Sequence, residues 1–452
     1  MLDINNEYIE NIHSLIAEGK DSQLTESLGS LHPSDIADVL DKLKRDDVHY
    51  IYKLLDLESR SDVLVELEDD VREDLLSTLT SKEIAVEVIE GLESDDAADV
   101  VADLSEEKLE EVLSLVEDEE AKSDVIDLLN YEEGTAGSIM AKELVRVEEG
   151  WSVARAIKEI RNQADDIDNL YTIYVVDQDG KLSGWLSIKR LLLTAKSTRS
   201  KISELTNTEN LVFILATDSD EQVAGLMEKY DLIALPVIDE EGILVGRITI
   251  DDAVDVIIEE AEKDYQLASG ISEDVESDDS IIDLTRARLP WLLIGLLGGV
   301  GGAYVIGAFD IETNPELALF IPLIAAMGGN VGVQSSAIVV QGLAASHLNN
   351  NSILSRLSKE FGVGLLNGLI CSILIFGVSH LLGFSSALSL SVSLSLLCVI
   401  VFAALFGTFV PLVLDKRNID PALATGPFIT TANDIIGLII YFTVSGLISG
   451  IL

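Results

Sequence analysis

Five long apolar runs close the chain, at roughly 291–309, 317–345, 361–384, 387–414 and 428–452. Each is long enough to cross a bilayer as a helix. Upstream, the pattern takes two other forms. Over residues 1 to about 130, apolar positions recur at spacings of three and four with turn residues ahead of each run. That spacing predicts short amphipathic helices stacked as hairpins. Residues 32–43 resemble residues 93–104, and 81–92 form a weaker third copy. Between 138 and 258 the pattern becomes strand, turn, strand, helix, and it occurs twice. Residues 174–188 match 236–250, each with an Asp-x-x-Gly turn, at Asp177–Gly180 and Asp239–Gly242. Helical stretches at 153–161 and 221–230 precede the two copies. An acidic helix over 253–264 and an acidic, mobile link over 272–283 then lead to the first apolar run.

Charge divides the chain at the same place. Of 79 acidic and 30 basic residues, only seven acids and four bases follow Pro290. The first 290 residues therefore hold 72 acids against 26 bases, a net −46 of the total −49. Nucleic acids and anionic lipid surfaces select basic patches, so this balance argues against both. It fits either a protein that meets cations or a domain kept soluble by its charge. Arg286 and Arg288 precede the first run, Arg356 and Lys359 the third, and Lys416 and Arg417 the fifth; the other two links carry no Lys or Arg. Alternation of basic and non-basic links is what five crossings with a cytoplasmic N-terminal region require, and it places the C-terminus outside. Residues 1–21 have neither a basic leader nor an apolar core, so no signal peptide is expected there.

Polar residues inside the spans are few and placed together. The first span carries Gly295, Gly298, Gly299, Gly301 and Gly302 at the small-xxx-small spacing of close helix contacts. The second contains Gly328, Gly329 and Gly332, which weaken a helix and predict a break. Asn330 and Gln334 sit four apart on one face of it, either clamping helices together or meeting a hydrated ion. The fifth opens with Asp420-Pro421, read as an N-cap with proline at the first helical position, and is interrupted by Pro427. Thr430, Thr431, Asn433 and Asp434 follow. Asp434 is the lone charged residue from Pro421 to Leu452. A carboxylate at membrane depth faces a bundle interior or a watery path. It either touches a permeating cation or bonds backbone at an interface. Hard cations take oxygen ligands, and Mg2+ keeps several waters while touching one or two carboxylates.

In the helical region Asp95 and Asp99 are four apart, as are Asp99 and Asp103. Like charges at that spacing repel, so they are either solvated or bridged by a divalent cation. Cys371 and Cys398 both lie in apolar spans and read as packing residues. Five scattered histidines form no cluster, and no nucleophile set, phosphate loop or zinc spacing is visible. An enzyme is not expected.

The duplicated unit looks like a tandem pair of CBS domains, a module that often binds adenine nucleotides or metal and often dimerises. Helical region, CBS pair, connecting helix and five spans, in that order, resemble the MgtE family of magnesium channels and transporters. The most specific pieces are Gly328-Gly329-Asn330-x-Gly332-x-Gln334 and Asp420-Pro421-Ala422-Leu423…Pro427…Thr431-x-x-Asp434. The resemblance implies a multidomain membrane protein: an all-α cytoplasmic superhelix over 1–131, an α/β CBS pair over 132–258 (about 138–196 and 202–258), a connecting helix and linker over 259–289, and a five-helix transmembrane domain over 290–452. It implies a homodimer embedded in lipid, with no obligatory protein partner, and a pore on the two-fold axis lined by the second and fifth spans. Asn330, Gln334, Thr430 and Thr431 would line that pore, and Asp434 would hold hydrated Mg2+. It also implies regulatory Mg2+ at Asp95, Asp99, Asp252 and Glu260, and at Glu221 and Asp231 near the membrane-side face of the CBS pair.

Three departures matter. Lys263 stands where some members have an acid. Gly426 stands where some have a pore-lining Asn. Lys189-Arg190 in the first repeat lacks the acid that would accept from a nucleotide ribose, while the second keeps Thr249-x-Asp251. The resemblance allows ATP there, and nothing else in the sequence supports it. The function implied is Mg2+ import down its electrochemical gradient, shut off when cytosolic Mg2+ bridges the acidic domains. Asp310, Glu312 and Glu316 would either concentrate cations at the outer mouth or form a solvated loop. Two other readings stay open: an ion-coupled carrier, and a membrane-anchored metal or nucleotide sensor that does not transport.

Overall fold

In a computed structural model of the chain, the structure describes residues 6–102, 104–163, 170, 172–193, 197–272, 275, 280–309, 315–344, 353–417, 419–424 and 426–449. Asp103, Asp310, Glu312 and most of the acidic link lie outside them. The chain forms two compact units, Met1–Ile258 and Glu259–Leu452.

The first unit opens with helices α1–α10 between Asn6 and Leu128. Most are short, because each apolar stripe spans only two or three turns before a polar cap. Asp56, Thr80, Ser105 and Asp118 accept from backbone N–H groups at the start of their helices, which satisfies donors the helix leaves open. The weak third copy has a physical basis: α7 (Ser81–Ile84) runs into a π-turn, Ala85–Ile89. The extra residue turns Glu87 inward, where Tyr52 Oη (2.8 Å) and Arg60 Nη1 (3.0 Å) hold its carboxylate.

The duplicated unit is realised as two three-stranded sheets. Strands β1 (Val145–Glu148), β2 (Ile173–Val176) and β3 (Leu182–Leu186) form one. Strands β4 (Ile214–Leu215), β5 (Ala234–Ile238) and β6 (Leu244–Thr249) form the other. In each sheet the first pair is parallel and the second antiparallel. The parallel pairs are joined through α11 (Val153–Gln163) and α13 (Asp220–Tyr230). Asp177 Oδ1 accepts from the backbone N–H groups of Asp179 and Lys181, closing its turn, and Asp239 Oδ1 accepts from Ile243. The turn glycines Gly180 and Gly242 have φ of +84° and +86°, a region open to glycine and costly for other residues. The two repeats also bond to each other through these turns: Leu182 N donates to Gly242 O and Leu244 N to Gly180 O, both 3.1 Å. One apolar core runs without interruption from the helical region into the second repeat, through Met140, Val223, Leu235 and Ile248. The first repeat has a core of its own.

Helix α12 (Ile188–Leu193) closes the first repeat. Helix α14 (Ile250–Ser269) follows β6 and carries the chain into the second unit. Among the described residues there, five helices have the length and composition of membrane spans: α15 (Ile281–Ala308), α16 (Ile321–Ala344, led by a 3₁₀ turn from Pro315), α17 (Ile353–Leu381), α18 (Ser386–Asp415) and α19 (Gly426–Ser449). Helices α15 and α17 begin about ten residues before the apolar runs of the sequence, because a helix continues into water past the segment that lipid selects. Two expectations are corrected. Helix α16 is continuous through Gly328, Gly329 and Gly332, since these glycines are packed against neighbouring helices rather than exposed. Asp420-Pro421 caps only a 3₁₀ turn, Pro421–Ala424, with Asp420 Oδ1 accepting from Ala422 N at 2.7 Å. Helix α19 starts afresh at Gly426, so Pro427 lies in its first turn and interrupts nothing.

Candidate cation sites

Helices α16 and α19 approach closely because one is stripped of side chains where the other carries polar ones. A methyl group placed on Gly329 would lie 3.1 Å from Thr430 Cγ2 and 3.9 Å from Asp434 Oδ1. Between the two helices lies a cavity of about 320 Å³. Its polar lining is Asn330, Gln334, Thr430 and Asp434, and Ala325, Ala326, Gly329 and Val333 complete it. Thr430 Oγ1 donates back to Gly426 O at 2.9 Å, which frees its oxygen lone pairs toward the cavity. Thr431, expected on the same wall, is placed elsewhere. It packs on α15, where a side chain at Gly298 would overlap its Cγ2. The reason is helical: a residue next to Thr430 points about 100° away from it. Asn330 and Gln334 are exposed in the single chain and Asp434 is half-buried. Exposed amides beside a carboxylate at membrane depth are costly against lipid. This arrangement fits a face covered by water or by another protein surface.

A second group of acids gathers in the first unit. Glu93, Asp95 and Glu143 each offer a carboxylate oxygen within 4.8 Å of the others. Helix α8 (Ser94–Ala102) carries Asp95 in its first turn. Ser94 N and Oγ donate to Glu143 at 3.2 and 2.8 Å, and Arg247 Nη2 donates to both oxygens of Glu93 at 3.0 Å. Asp252, in the first turn of α14, accepts from Thr249 N (2.9 Å) and Thr249 Oγ1 (2.5 Å). Burial first, then the nearby charges of Asp252, Asp96 and Glu93, hold the Asp95 carboxyl well above the usual carboxylate range. Burial also lifts Asp252, although its bonds from Thr249 oppose the shift. Asp96 is pushed up to about 7 by burial and then by Asp252 and Glu93. These groups resist ionising together, and a divalent cation would relieve the conflict. The sequence pointed to Asp95 and Asp252 but missed Glu93 and Glu143. Glu143 is 48 residues from Asp95 and no spacing links them.

The remaining expected ligands are not brought together in the same way. Asp99 is 74% exposed and lies 3.9 Å from Arg72, and it is not one of the three acids whose oxygens lie within 4.8 Å of one another. Glu221 and Asp231 are both exposed, at opposite ends of α13, about 15 Å apart along its axis, too far to share one ion within a chain. In the second unit Glu260 pairs with Lys263 at 2.9 Å, so the lysine occupies one of the expected acidic ligands. Asp264 was not singled out by sequence. Its carboxyl is raised by burial and then by the charge of Asp420, which precedes α19. Of the nucleotide candidates, Thr249 spends its hydroxyl on Asp252, and Asp251 is exposed in the first turn of α14. Glu316 is exposed in the turn that leads into α16.

Comparison with known proteins bears on the family of the chain. A family model described as a divalent cation transporter matches residues 321–444, and one for the MgtE intracellular N domain matches 31–134. The CBS domain model matches twice, at 136–196 and 202–259. The magnesium transporter MgtE of Thermus thermophilus is 34% identical over 444 residues, covering 97% of this chain and 98% of the relative. That of Bacillus subtilis is 33% identical over 320 residues, 70% of each. Among solved structures, the cytosolic domain of the Mg2+ channel MgtE in complex with ATP is 34% identical, with a TM-score of 0.51, covering 55% of this chain and 99% of that one. Its sequence, its two CBS repeats and its five apolar helices agree on one assignment: the chain belongs to the MgtE family of magnesium transporters.

Proposed function

We propose that the chain acts as a homodimeric Mg2+ channel that admits Mg2+ down its electrochemical gradient and is shut by cytosolic Mg2+. The observation that carries this reading is the cavity between α16 and α19, with Asn330, Gln334 and Thr430 around one carboxylate, Asp434. Neutral oxygens and a single acid suit a cation that keeps its water shell, since Mg2+ loses water reluctantly. The exposure of Asn330 and Gln334 in one chain supports a second copy completing the path, with Asp434 of each copy beside the two-fold axis. The membrane potential supplies the drive: a divalent ion gains about 4.6 kcal/mol per 100 mV, twice the single-charge value.

The gate in this reading is the acid group of the first unit, joined by the Asp264–Asp420 pair. Without Mg2+, Asp95, Asp96 and Asp252 repel and the packed arrangement is disfavoured. With Mg2+ bound, the same carboxylates favour it and the channel closes. The ion thereby biases a two-state element through differential binding. The orientation follows the basic links, with the first unit in the cytoplasm and the C-terminus outside. ATP at the CBS pair is a subsidiary proposal, supported by the neighbour solved with ATP and by Asp251 as a ribose acceptor.

The test is Mg2+ flux into liposomes at a fixed potential, wild type against Asp434→Ala. Wild-type flux that the variant lacks is the expected result. Equal flux would move the ion path away from Asp434. Flux that requires a proton or Na+ gradient would replace the channel with a coupled carrier.

A further inference from the structure

Asn433 is 1% exposed, and among the described residues neither of its amide atoms has a hydrogen-bond partner. A buried amide left unpaired is costly, and the cost is greater where no water competes. Ile429, one turn earlier on the same helix, is fully buried. Its surroundings show what the side chain does. A Cβ on Gly332 of α16 would overlap Asn433 Nδ2 and lie 2.7 Å from Ile429 Cγ2. The amide thus fills the notch that Gly332 leaves. Gly332 has no room to retreat, because a Cβ on Gly407 of α18 would overlap the Gly332 carbonyl oxygen. Backbone of α16 is held between α18 on one side and Asn433 on the other.

We infer that Asn433 is a positioning residue for the cation site: seated in the Gly332 notch, it fixes the rotation of α19 and so presents Asp434 to the cavity. Neighbouring residues on a helix point about 100° apart, so locking Asn433 against α16 leaves one direction for Asp434. That direction is the one observed, toward Gly329 and Asn330. A planar amide is thin enough for a slot floored by backbone, whereas leucine of similar length branches out of the plane. This inference rests on the channel reading above and adds a determinant that does not itself touch the ion.

The experiment measures initial Mg2+ flux against Mg2+ concentration for full-length wild type, Asp434→Ala, Asn433→Ala, Gly332→Ala and the Asn433→Ala/Gly332→Ala pair. Each is reconstituted in equal amount after its assembly is checked by size exclusion. Asn433→Ala removes bulk and adds none, so it is the variant that tests the idea if Gly332→Ala does not assemble. The expected result is a half-saturating concentration raised about tenfold in each single variant, the low end for groups that orient a metal ligand. Maximal flux per folded protein should change less. In the pair the two shifts should fail to multiply, because removing the amide opens the space that alanine at 332 needs. Wild-type half-saturation in Asn433→Ala, or shifts that multiply independently, overturns the inference while Asp434-dependent flux persists. Absence of Asp434-dependent flux in the wild type overturns the channel reading and this one with it.

Discussion

Asp96 is the residue whose environment makes the clearest prediction. Its carboxyl is raised to about 7, by burial first and then by Asp252 and Glu93. Between the unfolded value of about 3.9 and that figure, the folded protein holds a proton the unfolded chain has released. Stability therefore falls as pH rises through this window. Asp95 and Asp252 shift in the same direction and add to it. The melting temperature in detergent with a chelator should drop between about pH 4 and about pH 7, and added Mg2+ should flatten the drop by replacing the proton. A melting temperature that climbs over this range would remove the electrostatic basis of the gate. Asp95→Asn with Asp252→Asn should both flatten the pH profile and leave flux high when internal Mg2+ is raised. Asp99→Ala alone should do less of either, since Asp99 is exposed and close to Arg72. Lys263→Ala should free Glu260 and lower the internal Mg2+ needed for shut-off, read from the same flux traces.

At the scale of elements, the start of α19 is the most constrained junction. Gly426 has φ of +40°, and a Cβ there would overlap Ala268 O near the end of α14. Gly270 has φ of +82°, and its Cβ would lie 2.5 Å from Pro427 Cγ. Backbone strain of that kind costs about 1–3 kcal/mol when a side chain is forced on it. Gly426→Ala should lower thermal stability by about that much or more, whereas Gly377→Ala, with nothing within 4 Å of the added carbon, should be near neutral or stabilising. Comparable melting temperatures for the two variants would show that the contact is not tight. This junction also explains what could and could not be read from the sequence. The five apolar helices and the duplicated strand-turn-strand units were legible because length, period and Asp-x-x-Gly turns are local signals. The continuity of α16 was not, since whether glycines break a helix depends on what packs against them: Val399 on Gly328, Thr430 on Gly329, Asn433 on Gly332. Asn330 with Gln334, and Thr430 with Asp434, were legible as pairs because each is four apart on one helix, while only the family resemblance joined the two pairs. Thr431 was misplaced by a single helical step, and Glu143 was missed because only the folded chain brings it beside Asp95.

On the scale of the whole molecule, charge acts over two ranges that salt separates. The first 290 residues carry a net −46, a field that draws divalent cations from a distance. The acids around Asp95 repel one another at close range and partly buried, where mobile ions screen poorly. Raising monovalent salt from about 0.1 M to about 1 M shortens the screening length from about 10 Å to about 3 Å. That change should weaken the long-range attraction for Mg2+ while leaving the short-range repulsion nearly intact. The internal Mg2+ needed to shut the channel should therefore rise with salt. The conducting cavity is in a different situation. Only Asp434 among its lining residues is charged, and few other charges lie in the spans, so half-saturation of flux should move far less. Measuring both quantities across the salt series in one preparation distinguishes the two sites. A parallel rise in both would mean that one electrostatic environment serves gate and pore together. A shut-off concentration indifferent to salt would assign regulation to the local ligands alone and leave the acidity of the first 290 residues to solubility.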